Sequence, residues 1–356
     1  MTVSESATTE VPLPGLETLE PVQPEDRSGR WIERGPSGKL MLFSGRSNPD
    51  LADEIAELLG IQLGDVQLKT FANGETYCRF QESVRGADVF IVQSPHGEHV
   101  NDHLLELLIM IDAAKLASAN RITAVMPWFP YSRQDKKSSP REPITAKLVA
   151  ELLQAAGVDR VLTMDLHAGQ IQGFFTIPVD HMTALPLFVQ HYRDKGLQGE
   201  GIVAVSPDPG RAKTANKFAQ MLEADIAYMS KIRPEHEVAS MLEVTGRVRG
   251  KTAILTDDII VTGGTLIAAA EALKESGANE VYACATHGLI PEAAFERLAA
   301  SELAEITVSN TVPIDPLRRP AKVRVLPVSK LLAETVQNVF SDESVSAIFA
   351  GENQLF

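Results

Sequence analysis

This sequence has little cysteine, no long apolar run and no excess of basic charge, and each absence excludes a class of protein. Only Cys78 and Cys284 occur among 356 residues, far apart and in strand-like surroundings. We therefore expect two buried free thiols rather than a disulfide framework or a zinc site. No apolar stretch approaches the roughly 18 residues of a membrane-spanning helix. The opening residues MTVSESATTE have neither the basic start nor the apolar run of a signal peptide, so we expect a cytoplasmic protein with no membrane partner.

Acidic residues outnumber basic ones, 47 to 33, which gives a formal net charge of -14. A nucleic acid or an anionic membrane needs a basic surface, so neither is expected as a partner. Basic residues that lie close together in such a chain are candidates for binding a specific anion.

The chain is long enough for two domains, and its 44% hydrophobic content allows a sizeable core. Residues 1–35 are rich in Pro, Glu, Ser and Thr and predict a disordered tail, with a short interaction arm as the alternative. From Lys39 onward, strand-like runs alternate with helical segments such as Asp50 to Leu59. The runs lie at 40–45, 89–94, 121–128, 160–166, 201–208, 252–258, 280–288 and 305–313. This alternation predicts an α/β fold of parallel sheets with helices on both faces.

The stretch around which the chain is organised is TAILTDDIIVTGGT, residues 252–265. A buried strand leads through Asp257 and Asp258 to a small-residue turn, and apolar residues at helical spacing follow. Such a turn lets backbone N–H groups approach an anion at a helix N-terminus, and the two carboxylates could accept hydrogen bonds from sugar hydroxyls. The alternative is an ordinary Gly-Gly turn capped by acids.

Ligands of parallel sheets bind beyond the carboxyl ends of the strands, so the residues that follow each strand are candidates for binding. The loop at 129–147 carries five basic residues, which form either a solvated charge run or a polyphosphate site. His167 and Asp208 each follow a strand. They are either structural or part of a Mg²⁺ site that the protein supplies sparsely.

An Asn-Gly turn between two strand-like runs predicts a hairpin tip at TFANGETYCRF. Phe71, Asn73 and Glu75 lie in it, and an aromatic ring beside an amide and a carboxylate could stack on a purine and bind its edge. Lys231 and Arg233 lie further on, in a predicted loop that ends at a proline.

These motifs resemble those of a known family. FANGE, ESVRGADVFIVQS, ITAVMPWFPYSRQDKK, PITAKLVAELL, DLHAGQIQGFF, SPDPG, KIRP and DDIIVTGGT are similar, in this order, to the motifs of the ribose-phosphate pyrophosphokinase family. The resemblance extends from about residue 39 to the end of the chain. It implies two tandem type I phosphoribosyltransferase-like domains, each a parallel sheet flanked by helices. Residues 36–182 would form the ATP side, 183–328 the ribose-5-phosphate side, and 329–356 a helical segment that packs back on the domains.

The resemblance also implies an activity. The enzyme would transfer the diphosphoryl group of ATP to the anomeric hydroxyl of ribose 5-phosphate, with Mg²⁺ as cofactor. It would assemble as a homo-oligomer, a hexamer built from dimers. The alternatives are a weak or silent regulatory homologue and a phosphoribosyltransferase that consumes phosphoribosyl diphosphate. The complete catalytic set argues against the first, and the FANGE turn and RQDKK loop argue against the second.

Individual roles follow from the resemblance alone. It implies a catalytic pair, Lys231 and Arg233, and a metal-linked pair, His167 and Asp208. The implied ATP contacts are Phe71, Asn73, Glu75, Arg133 and Gln134, of which the first three come from a neighbouring subunit. The implied ribose-5-phosphate loop comprises Asp257, Asp258, Thr262, Gly263, Gly264 and Thr265. The implied regulatory residues are Ser83, Arg85 and Arg141.

Three residues depart from the family pattern. A Gly-Gly step often seen after the SPD motif is Gly210-Arg211 here, and the second residue of KIRP is the apolar Ile232. The third is Val261, which stands where the family usually has Asp, Ser or Thr. Valine can neither hydrogen-bond the ligand nor hold the loop through its side chain, although the backbone N–H groups around it remain.

We predict that the wild-type enzyme is active and that Val261→Asp lowers KM for ribose 5-phosphate by roughly three- to tenfold. The reason is that the substitution restores one hydrogen bond, worth about 0.5–1.5 kcal/mol. Steady-state kinetics with varied ribose 5-phosphate, at saturating ATP and Mg²⁺, measure the change. An inactive wild type that gains turnover on Val261→Asp would contradict this prediction and support the regulatory alternative.

Overall fold

The structure, a computed structural model, describes residues 32–34, 38–232 and 241–346. Strands and helices alternate along most of this length. The strands are β1 Ile32–Arg34, β2 Gly38–Ser44, β3 Val66–Thr70, β4 Thr76–Phe80, β5 Asp88–Val92, β6 Arg121–Met126, β7 Arg160–Met164, β8 Val179–Met182, β9 Ile202–Ser206, β10 Asp225–Ile232, β11 Met241–Gly246, β12 Thr252–Ile260, β13 Glu280–Gly288, β14 Glu305–Ser309 and β15 Val323–Leu326. The helices are α1 Pro49–Leu58, α2 Val100–Leu116, α3 Thr145–Ala156, α4 Leu185–Asp194, α5 Ala212–Met221, α6 Gly264–Glu275, α7 Glu292–Ala300 and α8 Ser329–Phe340.

The strands form two large sheets and one hairpin. The first sheet has the order β1-β2-β5-β6-β7-β8 and is parallel except for β1 at its edge. The second has the order β11-β10-β9-β12-β13-β14-β15 and is parallel except for β11 at its edge. β3 and β4 pair separately as an antiparallel hairpin that packs against α2. The predicted α/β class is confirmed, and so is the hairpin around the Asn-Gly turn.

One apolar cluster joins the two sheets. It contains Leu42 and Leu162 from the first sheet, Ala204 and Ile254 from the second, and the inward faces of α1, α4 and α8. A buried hydrogen bond accompanies this packing. The Tyr192 hydroxyl of α4 donates to the carbonyl oxygen of Ala283 in β13 at 3.1 Å. The cluster therefore packs the first sheet against the second.

The last described helix follows the prediction for the C-terminal segment. α8 packs against α1, and the Thr335 hydroxyl lies 2.9 Å from Met182 Sδ at the end of β8. Residues 347–356, which complete the predicted segment, lie outside the described residues.

The two cysteines are free, as predicted, but only one is fully buried. Burial raises the pKa of the Cys284 thiol in β13 to about 12. Cys78 is half-buried because it lies in the two-stranded hairpin, which covers it on one side only, and that burial raises its pKa to about 11. Neither thiol is poised as a nucleophile. Across the described ranges, no helix combines the length and the apolar character that crossing a membrane requires.

The end of the predicted tail needs a correction. Ile32–Arg34 lies within the predicted tail 1–35 but pairs with Gly38–Leu40 at the edge of the first sheet. The physical reason is that β2 presents unpaired backbone groups on this side, and a short antiparallel strand satisfies them. The remainder of the predicted tail lies outside the described residues.

We predict different outcomes for two truncations of the N-terminus. A chain that begins at Arg30 keeps β1 and should melt close to the full-length chain. A chain that begins at Gly38 loses the three-residue pairing and should melt lower by about 2 °C or more, since each lost hydrogen bond contributes about 0.5–1.5 kcal/mol. Differential scanning calorimetry compares the two chains, and equal melting temperatures would show that β1 adds no stability.

Candidate active site

The two aspartates of the central stretch lie within a strand, not after it. β12 continues past Asp257 and Asp258 to Ile260, because Ile259 and Ile260 pair with His287 and Gly288 of β13. The strand therefore fixes both carboxylates at the carboxyl edge of the second sheet. Asp258 is buried, with 5% of its side chain exposed, whereas Asp257 keeps 26% exposed.

A tight turn follows the strand. Gly263 precedes α6 with φ of 72°, in the left-handed region, and a Cβ atom there would lie 2.5 Å from Leu298 Cδ2. Both observations require glycine at this position. Thr262, Gly264 and Thr265 are exposed beside it, at the N-terminus of α6. Free backbone N–H groups and the helix dipole make this turn suitable for a phosphate.

His167 comes from the first sheet and contacts the second. It follows β7, and its Nδ1 atom lies 2.7 Å from Asp258 Oδ2. Arg211, in the turn after β9, places NH2 2.5 Å from the same Asp258 oxygen, and the same nitrogen donates to the His167 carbonyl oxygen at 3.0 Å. His167, Arg211 and Asp258 thus form one ionic cluster across the two sheets.

The aspartate pair is electrostatically asymmetric. Burial raises the pKa of Asp257, and the neighbouring Asp258 raises it further. Burial also acts to raise the pKa of Asp258, but hydrogen bonding from His167 and the charge of Arg211 outweigh it, so the pKa of Asp258 is lowered to about 2. Asp258 is the fixed anion of the site, and Asp257 is the carboxyl group that is easier to protonate.

A cleft of about 590 Å³ lies over this cluster. It brings together predicted site residues from four separate strand ends, namely Arg133, His167, Asp208, Asp257, Asp258, Thr262, Gly263, Gly264 and Thr265. Val261 and Arg211 line it too. The cleft is lined by cations, carboxylates and the backbone of a small-residue turn, which together suit a sugar that carries a phosphate.

Other predicted residues lie elsewhere. Phe71, Asn73 and Glu75 are exposed at the tip of the hairpin and do not line this cleft. Phe71 stacks edge-on against Tyr77, with 5.7 Å between ring centroids, and Lys69 Nζ lies 5.0 Å from the Phe71 centroid. An exposed aromatic ring with a cation beside it is available for a ligand or for another subunit.

The remaining ATP and regulatory candidates are distributed over the first sheet. Gln134 accepts a hydrogen bond from the Thr145 hydroxyl at 2.6 Å, so its side chain is held at the start of α3. Ser83, Arg85 and Arg141 are exposed, and Arg141 has φ of 71°. None of these four residues lines the cleft.

The predicted catalytic pair comprises Lys231, near the end of β10, and Arg233, which follows that strand in the sequence. Met229 and Ser230 of β10 line the cleft, and Lys231 follows them in the same strand, paired in register with Leu242 of β11. The sequence predicts a loop for Lys231, and this prediction is wrong because the residue lies in β10. The strand continues because β11 satisfies its backbone hydrogen bonds. Arg233 lies outside the described residues.

The functional residue that sequence reasoning missed is Arg211. Its only signal in the sequence was a departure from the family pattern, a charged residue at a position that often holds glycine. The side chain is 12% exposed and lies against both aspartates, with Nε 3.6 Å from Asp257 Oδ1.

The chain is similar to proteins of one kind over most of its length. Residues 40–157 match the family model for the N-terminal domain of ribose phosphate pyrophosphokinase, and residues 231–350 match that for the phosphoribosyl synthetase-associated domain. A ribose-phosphate pyrophosphokinase of Clostridium acetobutylicum is 48% identical over 313 residues, which are 88% of this chain and 98% of the relative. One of Bacillus caldolyticus is 49% identical over 311 residues, 87% of this chain and 98% of the relative. The crystal structure of phosphoribosylpyrophosphate synthetase from Mycobacterium smegmatis superposes with a TM-score of 0.79 at 47% identity, covering 85% of this chain and 99% of that one.

The asymmetry of the aspartates predicts opposite effects of neutralising each one. At pH 8, Asp258→Asn should destabilise the protein by about 3 kcal/mol, because it leaves a buried Arg211 without its partner. Asp257→Asn should raise the melting temperature slightly, because it removes a carboxylate that burial and Asp258 disfavour. Thermal melting of both variants against wild type measures the two shifts.

The pH dependence follows from linkage. Since the pKa of Asp257 is raised in the folded protein, the wild type loses stability as pH rises above the ordinary carboxyl value of about 4. The gain from Asp257→Asn should therefore vanish as pH falls to that value. The stability contributed by Asp258, whose folded pKa is lowered, is present above about 4 and is lost as pH falls through its folded pKa. Shifts of the same sign for both variants at pH 8 would contradict the assignment.

Proposed function

The chain belongs to the ribose-phosphate pyrophosphokinase family, and from that membership we propose how its own residues carry out the reaction. The enzyme transfers the diphosphoryl group of ATP to the anomeric hydroxyl of ribose 5-phosphate and releases AMP. The single observation that supports these roles best is the cleft, which joins the turn at 261–265 to His167, Asp208 and Arg133.

The reaction is an in-line displacement. The anomeric hydroxyl oxygen of the sugar bonds to the β-phosphorus of ATP, the bond from that phosphorus to the bridging oxygen breaks, and AMP leaves with this oxygen. The hydroxyl proton is lost. No protein nucleophile is required, so the protein accelerates the reaction by positioning the two substrates and stabilising the developing charge.

The sugar side of the cleft follows from its chemistry. The N-terminus of α6, with Thr262, Gly263, Gly264 and Thr265, would hold the 5-phosphate through backbone N–H groups. Asp257 and Asp258 lie in the strand that leads into this turn, and this aspartate pair would supply the acceptor for the ribose hydroxyls. Val261 leaves the backbone of this turn available, because its side chain offers no competing polar group.

ATP would bind on the side of the first sheet. Arg133 lines the cleft and suits a polyphosphate, because guanidinium offers two parallel donors. Gln134 would support it from the start of α3. Lys231 and Arg233 would stabilise the charge on the transferred group, and Lys231 directly follows two residues that line the cleft.

The residues present fit Mg²⁺, the cofactor that the family implies. Asp208 is exposed, and one of its oxygens accepts the Arg211 backbone N–H at 3.2 Å. His167 contacts Asp258 through Nδ1, so Nε2 is the ring nitrogen that would remain for the metal ion. In the described part of the chain, no group of three or more His, Cys, Asp or Glu side chains forms a metal site. Two protein donors suffice for Mg²⁺, which keeps waters and binds substrate phosphates; when bound, it would neutralise phosphate charge.

Assembly completes the proposal. Phe71, Asn73 and Glu75 are exposed and lie outside the cleft of their own chain, so we assign them to the adenine of a neighbouring subunit. This arrangement fits a homo-oligomer, a hexamer built from dimers, with Ser83, Arg85 and Arg141 at a regulatory site. We also propose that the enzyme acts in the cytoplasm, where ATP and ribose 5-phosphate would both be available.

A coupled assay for AMP tests the activity. Purified protein with ATP, Mg²⁺ and ribose 5-phosphate should release AMP in step with phosphoribosyl diphosphate, and omission of the sugar phosphate should abolish the release. Absence of AMP under these conditions would favour the regulatory alternative.

We predict that Lys231→Ala or Arg233→Ala lowers kcat by roughly two orders of magnitude or more and changes KM far less. The lost charge acts mainly in the transition state. Arg249→Ala, which removes an exposed cation from the turn before β12, is the matched control. Near-normal kcat in both Lys231 and Arg233 variants would show that the catalytic groups lie elsewhere.

A further inference from the structure

Arg211 has a set of contacts that a surface arginine would not have. Its NH2 atom is shared between Asp258 Oδ2 at 2.5 Å and the His167 carbonyl oxygen at 3.0 Å, and its side chain is 12% exposed. Its own backbone N–H is fixed by the Asp208 carboxylate at 3.2 Å. One residue therefore contacts both candidate metal-linked residues and the aspartate pair.

The contacts with the two aspartates differ in strength. Asp258 is 5% exposed and contacts both His167 and Arg211, whereas Asp257 is 26% exposed and lies 3.6 Å from Arg211 Nε. The Asp257 carboxylate accepts the backbone N–H of Asp258 at 2.8 Å and otherwise borders the cleft. A ligand can approach Asp257 without disturbing the cluster, whereas Oδ2 of Asp258 already contacts both His167 and Arg211.

We propose that Arg211 is a positioning residue that divides the aspartate pair into two roles. It locks Asp258 onto His167 of the opposite sheet, and it leaves Asp257 as the carboxylate that receives the ribose hydroxyls. This inference rests on the proposed function, because it names the acceptor within the proposed sugar site.

The guanidinium group explains why this position holds arginine. Its planar group places NH2 against Asp258 and the His167 carbonyl oxygen while Nε faces Asp257 at 3.6 Å, whereas the ammonium group of lysine is a single point charge with a different reach. Glycine, often found at this position in the family pattern, would leave the buried Asp258 and the half-buried Asp257 with less compensating charge. Arg211 thus holds the side chains of Asp257 and Asp258 in position before a ligand binds.

The test measures ribose-5-phosphate affinity without turnover. Isothermal titration calorimetry uses the α,β-methylene analogue of ATP together with Mg²⁺. The bond from the β-phosphorus to the methylene group of this analogue cannot be cleaved, so no transfer occurs. Arg211→Gln should weaken ribose-5-phosphate binding by about tenfold, because the loss of a charge-assisted hydrogen bond frees Asp258 to compete for the sugar and misplaces Asp257. Affinity for the ATP analogue should stay within about twofold. Arg211→Lys should recover part of the loss.

Lys213→Gln is the matched control, since it removes an exposed cation from the first turn of α5, two residues from Arg211 and outside the cleft, and should bind like wild type. Kinetics supply a second readout: Arg211→Gln should raise KM for ribose 5-phosphate about tenfold and leave KM for ATP nearly unchanged. Thermal melting confirms that each variant is folded. If Arg211→Gln is unfolded, the ribose-5-phosphate affinity of Arg211→Lys, which should be weakened to a smaller extent, tests the proposal instead.

The outcomes separate the two claims. Wild type that neither binds ribose 5-phosphate nor releases AMP overturns the proposed function. Active wild type with unchanged ribose-5-phosphate affinity in Arg211→Gln overturns the role of Arg211 alone. Equal weakening for both substrates also overturns it, because it would show that Arg211 only holds the fold.

Discussion

The contact of His167 with Asp258 and Arg211 is the interaction on which the site depends. There a histidine that follows β7 of the first sheet meets an ion pair of the second, and the Asp258 carboxylate is almost fully removed from solvent. An ion pair in such surroundings stabilises a structure only when each charge has its partners, so the relative position of the two sheets is tightly constrained. The apolar cluster around α1, α4 and α8 supplies the burial that holds the sheets together. At the strand ends the ionic cluster is accompanied by the Thr286 hydroxyl, which donates to Asp165 at 2.6 Å, and by His287 Nε2, which lies 3.0 Å from the Met164 carbonyl oxygen.

The other features of the cleft follow from that constraint. Parallel strands bring their carboxyl ends to one edge of each sheet, so loops far apart in sequence converge there. The turn before α6 supplies backbone donors for a phosphate, and Asp257 remains beside it for a sugar. Because the charges of Asp258 and Arg211 compensate each other, the Asp257 carboxylate, the backbone donors of the turn and the exposed Arg133 determine what the cleft binds.

The fold could be predicted further than the site. Apolar runs such as IVAV at 202–205 coincide with β9, because a strand buried on both faces has a nearly unbroken apolar sequence. β1 and β15 are short edge strands with little pattern of their own, and β8 alternates too weakly to stand out. The motifs placed His167, Asp208 and Asp258 at strand ends, and the structure brings them into one cleft. The role of Arg211 could not be predicted, because an arginine in a turn is expected to be solvated until its distance to Asp258 is known. The strand position of Lys231 could not be predicted either, because it depends on pairing with β11.

A double-mutant cycle between His167 and Asp258 tests the central claim most directly. Melting temperatures are measured for wild type, His167→Ala, Asp258→Asn and the double variant. If one ionic contact joins the two sheets, the two single substitutions break the same interaction, and the double variant should lose clearly less stability than the sum of the single losses, by about 1 kcal/mol or more. Strictly additive losses would contradict the account, because they would show that His167 and Asp258 stabilise the protein independently.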